Sequence, residues 1–249
     1  MDQAFEKIWQ TRLTSSLENQ LGRPAARRVL EAAGPVSPDR QTEWTRRVLS
    51  EITCTAGPRS CRAVLAACAC RYPSERLAPI RQAYAATGDL ELAHGMLQEQ
   101  YLGFLRGELG LGPEVVETVV AYGWGLAGKL NGTVVEAVKM PKSGNLLPYL
   151  GAEDPELRRQ LYCHCPRTRQ ALWTGERVPV DYCYCGAGFY KALWEEILGR
   201  LVAVHVLSSV VAGDDACRIE IDLSPGSAGP EGRRSERRVS GGSEAWSGN

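Results

Sequence analysis

Residues 201–223, LVAVHVLSSVVAGDDACRIEIDL, decide the fold class. Residues 201–211 are rich in β-branched side chains. After Gly213-Asp214-Asp215, the residues Cys217, Ile219, Ile221 and Leu223 alternate with Arg218, Glu220 and Asp222. Alternation at period two marks a strand with one buried face, and Gly-Asp-Asp is turn chemistry, so the two runs are expected to pair as an antiparallel hairpin. Cys217 then shares the apolar face with Ile219 and Ile221. Residues 133–140 also read as a strand. A helix over 187–198 precedes the hairpin, with Phe189, Leu193 and Ile197 inward and Gly199 as its stop.

Upstream, the period is helical. Pro58 suits a first helical position and is followed by Cys61, Val64, Leu65 and Cys68 at i, i+3, i+4 and i+7. A short helix runs to Gly88, and Asp89 caps another that places Ala93, Leu97, Tyr101 and Leu105 on one face. Gly112-Pro113 opens a further helix expected to carry Val116, Val119, Val120 and Ala127 and to end at the turn Asn131-Gly132. Helices packed on a small antiparallel sheet make this an α+β chain. Residues 1–50 read as an N-terminal helical arm, 51–223 as a cysteine-rich α+β domain and 224–249 as a disordered tail. Six Gly, six Ser and two Pro leave that tail almost no apolar surface to bury.

The chain has 249 residues with 29 basic and 29 acidic side chains, a balance that leaves no basic footprint for a nucleic acid. No run is long and apolar enough for a membrane span, and the first residues, MDQAFEKIWQ, carry no apolar signal segment. A cytoplasmic protein is therefore expected. Nine cysteines, an odd number, argue against a disulfide framework and leave buried thiols, reactive thiols or a metal site.

Free cysteine behaves as a small hydrophobe, so Cys61 and Cys68 read as core residues. The second cluster is different: Cys163-His164-Cys165, then Cys183-Tyr184-Cys185, then Cys217. In extended backbone, residues i and i+2 project to one side, so two Cys-x-Cys pairs can offer four soft ligands to one tetrahedral zinc ion, with Cys217 as a fifth candidate. Buried and redox-active thiols are the alternatives. A catalytic reading uses Cys185 at a helix start as nucleophile, His164 as base and Asp181 as its orienting partner. The segment Gly123-Trp-Gly-Leu-Ala-Gly128 matches the dinucleotide-binding glycine pattern but lacks its strand–turn–helix context, and close packing at small residues accounts for it better.

The segment DYCYCGAGFYKALWEEILGR with the later GDDACRIEI resembles the C-terminal half of the 4-vinyl-reductase-like domain, a small-molecule-binding α+β module. The resemblance implies a ligand-binding fold and a zinc site that includes Cys183 and Cys217. Ser209 stands where a further ligand cysteine is expected, and no Glu occurs at the matching stretch near Val206, so Cys163, Cys165 or Cys185 would complete the set. The span from Cys54 to Leu223, with CACRYP, GWGLAG, YCHCPR and CYCGAGFY, also resembles a cysteine-rich prokaryotic family of unknown function. It is loosely similar to L-2-amino-thiazoline-4-carboxylate hydrolase-like proteins. The expectation is a cytoplasmic, metal-stabilised small-molecule-binding or sensory domain, compatible with a homodimer. The alternative is a cysteine-dependent hydrolase of a small amide or thiazoline-like substrate. An enzyme requires Cys and His to converge with a perturbed thiol; a binding module requires an apolar pocket with its cysteines engaged by packing or metal.

Overall fold

The computed structural model describes residues 3–37 and 40–227. Three helices open the chain: α1 (Gln3–Leu21), α2 (Arg23–Ala33) and α3 (Gln41–Ala67). Within α3, Gly57 at φ 81° breaks the helix, and Pro58 begins a second segment where its missing N–H costs nothing. Trp9, Leu13, Leu17, Val29, Val48 and Ile52 bury against one another in a cluster that also holds Cys61, Val64, Leu65, Cys68 and Tyr182. The boundary expected at residue 50 thus falls inside α3, and residues on both sides of it share this core. Cys61 and Cys68 take the core positions that their spacing indicates.

The next helices follow their sequence signals closely. α4 (Ser74–Thr87) stops at Gly88, and the Asp89 carboxylate accepts from the Glu91 and Leu92 N–H groups to cap α5 (Leu90–Gly103). Ala93, Leu97, Tyr101 and Leu105 are buried as spaced, the last in a π-helical turn over 104–108. α6 (Pro113–Ala121) begins at its proline but is shorter than expected. Residues 123–128 form a loop, β1 (Lys129–Asn131) follows, and Asn131-Gly132 is the hairpin turn into β2 (Val134–Val138). The cause lies at Gly128, which has φ +68°; a Cβ there would sit 2.6 Å from the Glu136 carbonyl oxygen and 2.8 Å from the Ala137 Cα. Gly128 lets the loop lie against the sheet backbone, and the segment does not pack one helix on another as its small residues suggest.

After β2 come α7 (Leu146–Gly151), α8 (Pro155–Tyr162), α9 (Pro166–Thr174) and α10 (Tyr184–Leu198), then β3 (Ala203–Ser208) and β4 (Arg218–Asp222). The four strands form one antiparallel sheet in the order β1-β2-β4-β3. The expected hairpin is present, with Val204 opposite Ile221 and Val206 opposite Ile219. It is shorter than its apolar run, because the Ser209 hydroxyl accepts from the Val211 N–H and caps a 3-10 turn over 210–212. The Asp214 carboxylate accepts from the Ser209 N–H at 2.7 Å, the turn role anticipated for the aspartates. Cys217 lies just before β4, and its carbonyl accepts from the Lys139 N–H at 3.0 Å. α10 covers the sheet with Ala187, Leu193, Trp194 and Ile197 in the same core as Val135, Ala137, Ile219 and Ile221. The α+β class is confirmed.

At the C-terminal side, Ser224–Ser227 close a turn against Asp222, and Arg200 donates to the Leu223 and Ser224 carbonyls. The tail expected over 224–249 lies outside the described residues from 228 onward. Among the described residues, no helix is long and apolar enough to cross a membrane.

Candidate functional site

A cavity of about 460 Å³ opens between α10, the sheet, the α8–α9 connection and the end of α5. Tyr101, Phe104, Phe189, Tyr190, Met140, Val206 and Ile219 give it an apolar, aromatic wall. Cys163, His164, Cys165, Cys183, Cys185 and Cys217 also line it, as does Cys70. The residues of the second cysteine cluster therefore converge, although they are up to 54 positions apart in sequence.

The manner of convergence differs from two chelating pairs. Cys163 and Cys165 flank His164 in extended backbone, with ψ of 126° and 123°, as a Cys-x-Cys chelate requires. Cys183 and Tyr184 are helical instead, at φ/ψ of −65°/−14° and −62°/−22°. At about 100° per residue, helical positions i and i+2 project roughly 200° apart, so Cys183 and Cys185 diverge. Cys183 lies 3.0 Å from the Ser209 hydroxyl and near Cys217 and Cys163; Cys185 lies near Cys165, Cys68 and Cys70. Cys163 is 2.8 Å from the Thr168 hydroxyl, and the Cys165 thiol donates to the Tyr182 hydroxyl at 3.5 Å. Among the described residues, no three His, Cys, Asp or Glu side chains group closely enough to hold a metal ion. The second Cys-x-Cys pair thus does not present both thiols to one side, as an extended segment would.

Burial governs the thiols. It pushes Cys163 up to about 12 and raises Cys183, Cys185 and Cys217, with neighbouring thiols adding to the effect in the first three. Cys185 sits in the first turn of α10, where the helix dipole favours a thiolate, but desolvation outweighs it. Cys165, Cys183, Cys185 and Cys217 keep some accessible surface although protein surrounds them, as expected for side chains that face a cavity, whereas Cys163 is buried.

The three residues of the catalytic reading do not form a relay. His164 Nε2 is held by the Met140 carbonyl at 2.6 Å, which makes Nε2 the donor and, in the neutral ring, Nδ1 the free acceptor. His164 lines the cavity with part of its surface open, and desolvation by the surrounding protein, assisted by Lys139 and Lys142, lowers the ring to about 4. Asp181 pairs with Arg62 at 2.8 Å on the outer surface rather than with His164. Surface charge complementarity captured the carboxylate that the catalytic reading assigned to the imidazole.

Several lining residues carry no local sequence signature. The Tyr162 hydroxyl donates to the Lys139 carbonyl and accepts from the Cys217 N–H at 3.2 Å, tying α8 to both central strands. The Tyr190 hydroxyl donates to the Gly125 carbonyl at 3.3 Å, and the Tyr101 hydroxyl to the Met140 sulfur at 3.2 Å. For Lys139 a signal did exist: it follows the buried Val135 and Ala137 at the two-residue period and so falls on the inward face. A second cavity, also about 460 Å³, lies beside the glycine-rich loop and is lined by Glu91, His94, Gln98 and Lys129; His94 Nε2 is 2.9 Å from the Gly128 carbonyl. No protein-family model, curated protein or solved structure matches this chain.

Proposed function

We propose that the chain is a small-molecule-binding domain whose ligand occupies the aromatic, thiol-lined cavity between α10 and the sheet. The observation that supports this most is the cavity itself: about 460 Å³, walled by aromatic and aliphatic side chains, with a few polar groups directed inward. Volumes of this order accommodate drug-sized molecules, and an apolar wall with few polar groups is the usual composition of a ligand site. The raised thiols favour binding over covalent chemistry, because a nucleophilic cysteine acts as its thiolate.

Titration with Nile red, a neutral fluorescent probe, tests the reading, with quenching of Trp9 in the cavity wall as a second signal. Saturable one-to-one binding is expected, and Leu126→Trp, which fills the cavity from the loop side, should abolish it while leaving the circular dichroism spectrum unchanged. Absence of saturable binding, or full binding by Leu126→Trp, overturns the proposal. Elemental analysis of protein purified without added metal separates it from the zinc-centred expectation: one equivalent of bound zinc would replace the apolar-cavity reading with a metal centre.

A further inference from the structure

The cavity carries an uncompensated positive charge. Two cations line it, Arg76 and Lys139, and no Asp or Glu does. Arg76 is matched by Glu108 at 2.6 Å. Lys139 has no carboxylate partner among the described residues. Its position is specific. A Cβ on Gly186 would meet the Lys139 Nζ at 3.0 Å, so the absence of a side chain there leaves room for the ammonium across the first turn of α10.

A helix N-terminus carries a partial positive charge, about half an elementary charge, and an ammonium beside it is placed against the field. The carboxylate nearest to this corner, Asp214, acts on Cys217 but is engaged by the Ser209 N–H at 2.7 Å and makes no ion pair with the lysine. Cys183 and Cys217 are close enough to feel the lysine, but burial keeps both thiols protonated, and His164 is neutral near pH 7. A cation, a helix start and an apolar wall therefore meet in one corner without a paired anion. A single Lys acts as a point charge, and one unpaired ammonium balances one negative charge, as a carboxylate carries.

We infer that the ligand is an apolar carboxylate, its hydrocarbon or aromatic body against Tyr101, Phe104 and Phe189 and its anionic end on Lys139 at the start of α10. This rests on the small-molecule-binding reading above and adds the chemical class of the ligand.

Calorimetric titration of the full chain with matched pairs tests it: decanoate against decanol, and naphthoate against naphthylmethanol. A charge-assisted hydrogen bond distinguishes each acid from its alcohol by roughly ten- to a hundredfold in affinity. Lys139→Met should remove that preference while leaving the alcohols bound, and Lys139→Arg should retain it. Comparing acid with alcohol in the unaltered protein gives an answer even where a variant folds poorly. Equal binding of acid and alcohol, or an acid preference that survives Lys139→Met, overturns the inference and leaves the cavity reading intact. Failure of all four compounds and of Nile red overturns both. A preference for one acid only identifies an alkyl or an aryl body and supports the inference.

Discussion

Gly188→Ala is the substitution on which the packing of the site depends most sharply. A methyl group at Gly188 would lie 1.9 Å from the Ala66 carbonyl oxygen and 2.6 Å from its carbonyl carbon and Cα. Ordinary contact begins at 3.4 Å, so α10 must draw back from α3 by about 1.5 Å at that point. All three obstructing atoms are backbone and cannot rotate aside. Tyr184 and Cys185 of α10 pack on the cluster that holds Val64, Leu65 and Cys68 of α3, and a gap of even 0.5–1 Å forfeits about a quarter to a half of each pair's attraction. Overpacking costs about 1–3 kcal/mol, and a rigid obstacle puts this case at the top of the range or beyond. Against it stands the intrinsic gain of alanine over glycine inside a helix, roughly 1 kcal/mol. The expected net loss is about 2 kcal/mol or more, which lowers the Tm of a protein this size by roughly 4–8 °C. Gly95→Ala in α5 is the control, since no atom lies within 4 Å of its Cβ position, and it should gain about 0.5–1 kcal/mol. Urea unfolding of both variants, with slopes equal to the parent's, measures the difference. A Gly188→Ala protein as stable as the parent, or stabilised like Gly95→Ala, would refute the close α3–α10 contact and with it the placement of Cys185 and Gly186 in the cavity wall.

Arg167 is fully buried, pairs with Glu6, donates to the Thr45 hydroxyl at 2.6 Å and lies 4.2 Å from the centre of the Trp9 ring. Arg167→Met should cost about 3 kcal/mol in urea unfolding, because the Glu6 carboxylate loses its partner; a change below about 0.5 kcal/mol would show that the pair does not hold α1, α3 and α9 together. Stability should also fall on both sides of neutrality. His164 titrates at about 4 in the folded chain against 6.5 unfolded, so the unfolded state binds the extra proton and stability declines as pH drops from 6.5 towards 4. Cys163 titrates at about 12 against 9, so the unfolded state loses its proton first and stability declines as pH rises above 9. Urea midpoints measured across pH should show both limbs, with His164→Gln flattening the acid one and Cys163→Ala making the alkaline one shallower; limbs unchanged in these variants would assign the titrations elsewhere.

The elements that the sequence determined by itself are those whose signals are local. Asp89 caps α5 because its carboxylate reaches N–H groups two and three residues on, and Gly88 and Gly199 end helices in left-handed backbone that glycine adopts freely. The alternation in 218–222 and the Gly-Asp-Asp turn specify the β3–β4 hairpin, and the seven-residue spacing of Cys61 and Cys68 specifies their burial. The tertiary structure decided what depends on distant partners. β2 pairs with β4 from Val134 opposite Asp222 to Val138 opposite Arg218, across 80 to 88 residues, and that sheet draws the Gly123–Gly128 loop onto its backbone and so ends α6 early. The helical start of α10 turns Cys183 and Cys185 apart, a direction that a Cys-x-Cys spacing leaves open. Whether a thiol chelates, reacts or lines a cavity depends on side-chain direction and on desolvation. Both are set by the segments that pack around the thiol and not by the residues next to it in the chain.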